Sequence, residues 1–227
     1  MTKITKIRVP IQSTQALMGA SGGWLRVVGG LQHHEIVTLL RKRWSSFQVP
    51  YLQSLSDAIL SRELVCLSID SHGNQWLSFE DATSSLHVAP QAKLPTELRS
   101  QFPFHQIAGL ADFLENFGGL ADGSLPPCPW FTPVEDCRVV ASDCDSYDWG
   151  MIGDWAGSLT LYNTCGGNFI VVSPNNVCAL WDHDIGWECR NDNPFENLGW
   201  TMSDLVEEFI KYLSLAESEA PNSPFYY

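Results

Sequence analysis

The stretch SLTLYNTCGGNFIVVSPNNVCALWD, residues 158–182, decides how the chain folds. Leu159 and Leu161 alternate with Thr160 and Tyr162, TCGGN supplies a turn, residues 168–172 return, SPNN turns again, and residues 177–182 run on. Period-two alternation between Gly- and Asn-rich turns marks antiparallel strands, so the reading is a three-strand meander. Just downstream, Thr201 and Asp204 have the spacing of a capping box. Met202, Leu205, Val206, Phe209, Ile210 and Leu213 follow as one apolar stripe at helical period. A helix with such a stripe packs on a sheet.

Upstream, Ile107, Leu110, Leu114 and Phe117 make another apolar helix face, closed by Gly118-Gly119, and a long loop carrying Pro126, Pro127, Pro129 and Pro133 follows it. Between Ser84 and Pro95 the pattern lapses into small, polar and proline-containing sequence, the place for a boundary between residues 1–92 and 93–216 if there are two units. Further back, Gln75 to Phe79 and Val65 to Ile69 read as a hairpin about SHGN. Leu52, Leu55 and Ile59 read as a helix, as do Ile36, Leu40, Trp44 and Phe47, which must end before Val49-Pro50. WLRVVGGL, Trp24 to Leu31, reads as a short strand or hairpin about Gly-Gly. Residues 217–227 read as a tail, loosely ordered except for its aromatic end.

The totals agree with a globular chain: 227 residues at 44% hydrophobic content can fill a real core. No apolar run approaches the roughly 20 residues that cross a bilayer. Gln12, Ser13, Thr14 and Gln15 interrupt what would have to be the apolar core of a secretory signal, although the first acid, Glu35, comes late enough for a basic transit peptide. Seven cysteines with no CxxC spacing read as reduced, mostly buried thiols of a cytoplasmic protein. The net charge of −13 is uneven: residues 1–105 carry +3 and residues 106–227 carry −16. Such a second half repels nucleic acid and anionic membrane and favours a basic or polar partner.

Enzyme signals are weak. GxSxG occurs once, at residues 19–23, with too little chain before Ser21 to build the sheet on which such a serine sits. There is no P-loop, GxGxxG or HExxH, and His33-His34 falls at a helix start, where a solvated pair is ordinary. Around WDHDIGWE, a strand would point Asp182 and Asp184 to one face and His183 to the other, so the three cannot converge on one metal without a bend. Two carboxylates beside Trp181 and Trp187 would suit glycoside hydrolysis if they flanked a cleft at about 5 Å or about 6.5–9.5 Å. The plainer reading is acids solvating a sheet edge while tryptophans fill the core.

The order of blocks from Leu94 onward, LPTELRS, DFLENFGGL, GSLTLYNTCGGNFIVV, VCALWDHDIGWE and MSDLVEEFIKYL, resembles the SUKH superfamily, which includes a yeast regulator of cell-wall glucan synthesis and many bacterial immunity proteins. The resemblance covers roughly residues 93–214; the insertion QFPFHQIAGLA departs from it, and residues 1–92 match nothing in it. It implies an α+β domain, an antiparallel sheet flanked by helices, here with an N-terminal extension, and no catalytic residues in its usual role; with His183 on the opposite face from its neighbouring aspartates, no metal or cofactor is expected. It also implies a protein partner, for the immunity members a polymorphic toxin and often a nuclease. An inhibitor of a phosphate-attracting enzyme gains by presenting acids with aromatic anchors between them. DCDSYDWGMIGDW offers Asp143, Asp145, Asp148 and Asp154 with Tyr147, Trp149 and Trp155, and the strand end adds Asp182, Asp184, Trp187 and Glu188. The alternatives are an adaptor or regulator holding a cell-wall or signalling partner and, further off, a carbohydrate-active enzyme.

Overall fold

Strand order follows chain order in this protein, and every neighbouring pair is antiparallel. The computed structural model describes residues 7–9, 23–69, 74–82, 84–123, 130–140, 155–164, 167–182, 195–215 and 225. Among them, one ten-stranded sheet runs from β1 (Ile7–Val9) through β2 (Glu63–Ile69), β3 (Gln75–Glu80), β4 (Ser85–Val88), β5 (Ala121–Asp122), β6 (Trp130–Phe131), β7 (Leu159–Asn163), β8 (Phe169–Val172) and β9 (Cys178–Trp181) to β10 (Phe195–Trp200). The helices are α1 (Gly23–Val28), α2 (His33–Trp44), α3 (Pro50–Leu60), α4 (Thr96–Gln101), α5 (Leu110–Phe117) and α6 (Met202–Tyr212). This is the α+β class, an antiparallel sheet flanked by helices.

The alternation of each strand explains the layering. Leu77 and Phe79 of β3, Leu86 and Val88 of β4, Ile170 and Val172 of β8 and Cys178 of β9 all enter one core with the helices' apolar faces. That core draws on residues from Trp24 to Phe225, and β4 pairs with β5 across the boundary between residues 92 and 93. Aromatic rings chain through it: Trp44 lies 5.1 Å from Phe117, Phe117 6.1 Å from Phe113, Phe113 4.9 Å from Phe131, and Phe131 4.8 Å from Phe209.

The meander β7–β9 forms as its alternation requires, and α6 starts with the capping box read from sequence. The Asp204 carboxylate accepts the Thr201 backbone N–H at 2.8 Å, and Thr201 Oγ1 accepts the Asp204 N–H at 3.3 Å. The bond from the Thr201 backbone holds the Asp204 carboxyl below its ordinary range. Asn176, in the turn after β8 with φ +61°, accepts the Met202 N–H at 2.9 Å, so the meander itself seats α6.

Three expectations need correction. WLRVVGGL is a helix, α1, and not a strand or hairpin: Trp24, Leu25 and Val28 share a helical face and are buried. Its start is capped from outside, since the Gln75 side chain accepts the Leu25 N–H at 2.9 Å, while Gly23 takes φ +61° where a Cβ would lie 2.6 Å from Gln75 Oε1. The Trp24 indole donates to the Val88 carbonyl at 2.7 Å and pins the helix to β4. The stretch from Ser84 to Pro95 is not patternless either: Leu86 and Val88 alternate with His87 in β4, which the polar neighbours conceal in sequence. The long loop after Gly119 is interrupted by the two-residue strands β5 and β6, which carry the sheet from β4 to β7.

Candidate functional site

The face of the sheet away from the main core carries two different surfaces. Beside β7–β10, Val171, Ala179, Trp181 and Phe195 gather with Val140 and Trp155 into a second apolar cluster, with Phe169 and Val177 packed against it. Strand alternation produces it, because Val171 and Ala179 are the neighbours of Val172 and Cys178, which face the main core. The Trp155 and Phe195 rings stack at 5.9 Å and 20°, and Phe169 tilts onto Trp181 at 5.8 Å. A groove of about 500 Å³ opens here between Trp155, Ala156, Pro174, Val177 and Phe195.

Of the residues singled out for partner binding, Asp182 is partly buried and sits one residue beyond the end of β9. A period-two argument about its neighbours therefore stops at Trp181. Asp143, Asp145, Tyr147, Asp148, Trp149, Asp154, Asp184, Trp187 and Glu188 lie outside the described residues, as do His183 and the residues of GxSxG before Gly23. What the structure does place is the chain on either side of the two acidic segments. Val140 and Trp155 flank residues 141–154, Trp181 and Phe195 flank the stretch holding Asp184 and Glu188, and all four belong to the one cluster. The two segments are 41 residues apart in their first acids, Asp143 and Asp184, yet both leave from and return to the same patch.

At β2–β4 the same face is polar. Cys66, Ser68, Ser78 and His87 are all buried and form a chain of contacts: Cys66 Sγ to Ser68 Oγ at 3.6 Å, Ser68 to Ser78 at 2.7 Å, Ser78 to His87 Nδ1 at 2.9 Å, and His87 Nε2 to the Gly123 carbonyl at 2.9 Å. A carbonyl only accepts, so Nε2 donates; in a neutral imidazole Nδ1 then accepts the Ser78 hydroxyl proton. This nucleophile–base pair escaped the sequence reading. Its trace there is period-two placement, Cys66-x-Ser68 beside Trp76-x-Ser78 with His87 opposite. Ser78 has no exposed surface and His87 keeps 3%, so the pair is closed off from solvent in this structure.

A second polar group lies near the ends of these strands. Arg62, with 7% of its side chain exposed, pairs with Asp81 at 3.0 Å. Burial raises the nearby Asp122 carboxyl above its ordinary range, opposed by a hydrogen bond from Tyr212 and by the Arg62 charge. The folded state therefore holds the Asp122 proton more tightly than the unfolded chain does. That contribution is complete below the unfolded carboxylate range and is lost as pH rises through the raised folded value. Asp122→Asn is expected to raise Tm at pH 7, with the gain vanishing in acid; a lower Tm at pH 7 would show that Arg62 outweighs burial.

Cys66, Cys137 and Cys178 are unpaired buried thiols. Burial, with Asp136 beside Cys137 and Asp204 near Cys178, pushes both of these thiols up to about 12. Neither should take iodoacetamide at pH 8 in the folded protein, and mass spectrometry locating label on either peptide before unfolding would contradict this. Among the described residues no three His, Cys, Asp or Glu side chains group to hold a metal ion, and no helix is long and apolar enough to cross a membrane. No protein-family model, curated protein or solved structure matches the chain.

Proposed function

We propose that this chain is a non-enzymatic protein-binding module of the SUKH kind, an immunity protein that works in the cytoplasm and neutralises a basic toxin domain. The observation that carries the reading is the convergence of both acidic segments on the apolar cluster of Val140, Trp155, Trp181 and Phe195. Residues 141–154 and 183–194 together hold seven acids and one arginine, so the two segments whose ends meet at this apolar patch are acidic in sequence. An interface needs this combination to draw in a basic partner and then exclude water from its centre. The burial of Ser78 and His87 supports binding over catalysis, and the free thiols suit a reducing compartment. The same charge argues against nucleic acid or an anionic membrane as the target.

Co-expression of the full chain with the C-terminal toxic domain encoded beside its gene tests the proposal. Growth at a toxin level that kills the host alone, with the two proteins co-purifying, is the expected result. Death at equal toxin level without co-purification ends the reading.

A further inference from the structure

We infer that the outer face of α1 and α2 docks an acidic, amphipathic segment of a further protein partner. This surface is separate from the one above: α2 packs Ile36, Leu40 and Trp44 into the main core, so its outer face and the cluster around Trp155 lie on opposite sides of the sheet. In a chain with 26 acids and 13 lysines and arginines, residues 23–49 invert the balance, setting Arg26, Arg41, Lys42 and Arg43 against Glu35 alone. Glu35 is spent at the helix start, where its carboxylate accepts the Gln32 N–H at 2.6 Å. The cations are not spent. The ion pairs among the described residues are Arg62–Asp81, Arg99–Glu115 and Lys211–Glu208, and none involves α1 or α2. Arg43 donates to the Gln91 side chain, a neutral partner, and exposed Lys93 follows two residues beyond that contact.

Helix polarity accounts for part of this, since cations in a last turn suit the negative end of a helix. It does not account for Arg26 or Lys93. Nor does it account for Val27 and Leu39, which at 41% and 38% are the exposed large apolar side chains among the described residues and both belong to these two helices. Leu39 stands one turn before Lys42 and Arg43, so the helix presents an apolar contact and two cations together. A segment with carboxylates beside an aliphatic stripe meets both features at once. Nucleic acid offers phosphates but nothing apolar to cover Leu39. An anionic bilayer offers both, yet two partly exposed aliphatic side chains give it little to hold. At 0.15 M salt the Debye length of about 8 Å leaves a short acidic segment sensing the cations beside it more than the chain's distant acids.

Fluorescence anisotropy tests this with the full-length chain at physiological salt and the labelled peptide fluorescein-Glu-Leu-Glu-Glu-Leu-Leu-Glu-Glu-Leu-amide, whose leucines share one helical face. It should bind about tenfold tighter than the same peptide with serine for leucine. Arg41→Glu combined with Lys42→Glu should weaken it about tenfold or more, and Leu39→Gln should erase the preference for leucine. All three positions are exposed, so Tm should hold in both variants. A leucine peptide that does not bind, or that binds the charge-reversed variant as tightly as the parent, overturns the inference. Equal binding of the serine peptide by the parent overturns it too, leaving only a non-specific attraction for anions. Tighter binding of a single-stranded oligonucleotide of equal charge, or of phosphatidylserine vesicles, would overturn it by assigning the face to nucleic acid or to membrane.

Discussion

Phe131→Ala is expected to cost about 3–5 kcal/mol and to leave one unfolding transition. Phe131 has no exposed surface and lies 4.9 Å from Phe113 of α5, 5.0 Å from Tyr162 of β7 and 4.8 Å from Phe209 of α6. Truncation empties a site walled by three helix and strand elements that cannot all close in, so the cavity persists. Phe113 continues to Phe117 and Trp44, and Phe209 continues to Phe225 at 5.4 Å, so the defect sits midway along a chain of rings from α2 to the C-terminal residues. Urea unfolding followed by tryptophan fluorescence and by far-UV circular dichroism should give coincident midpoints, shifted down with an unchanged slope. Two separated transitions would mean that residues before 93 unfold apart from the rest.

The parts of the fold legible in sequence are those whose periodicity is long enough to repeat. β7–β9 show alternation through three strands, and α6 shows its stripe over three turns with a capping box that the structure reproduces. α1 is legible only in the spacing of Trp24, Leu25 and Val28. Six residues cannot establish a helical period against a Gly-Gly pair that suits a hairpin equally well, and the cap comes from Gln75, fifty residues away. β10 shows no alternation because its outer residues Glu196 and Asn197 are both exposed and a register shift falls between Asn197 and Trp200; pairing with β9 makes it a strand. The candidate site is legible as charge, not as place. Acids at Asp143 and Asp184 announce two negative segments, but only the cluster of Val140, Trp155, Trp181 and Phe195 brings their ends together. The groove depends on Trp155, Pro174 and Phe195 coming together from three separate parts of the chain, which no local pattern encodes.

On the proposed reading, association with a basic toxin domain should slow steeply as salt rises, while dissociation changes little. The attraction acts between the net −16 of residues 106–227 and the partner before they touch, and the Debye length falls from about 30 Å at 0.01 M to about 8 Å at 0.15 M. Replacing Asp145 and Asp148 together with asparagine removes two charges from the segment between Val140 and Trp155, and should slow association further at low salt only. Trp149→Ala should act on the other rate: with Trp149 as the proposed aromatic anchor, its loss speeds release and costs on the order of 2 kcal/mol or more, roughly thirtyfold in Kd. The two variants thus separate steering from anchoring, because long-range charge works during approach and ring contacts exist only after docking. Surface plasmon resonance with the cognate toxin across a salt series measures both rates. An association rate indifferent to salt and to the aspartate changes would reduce these acids to a solvated face, and a Trp149→Ala variant released no faster than the parent would remove Trp149 from the interface.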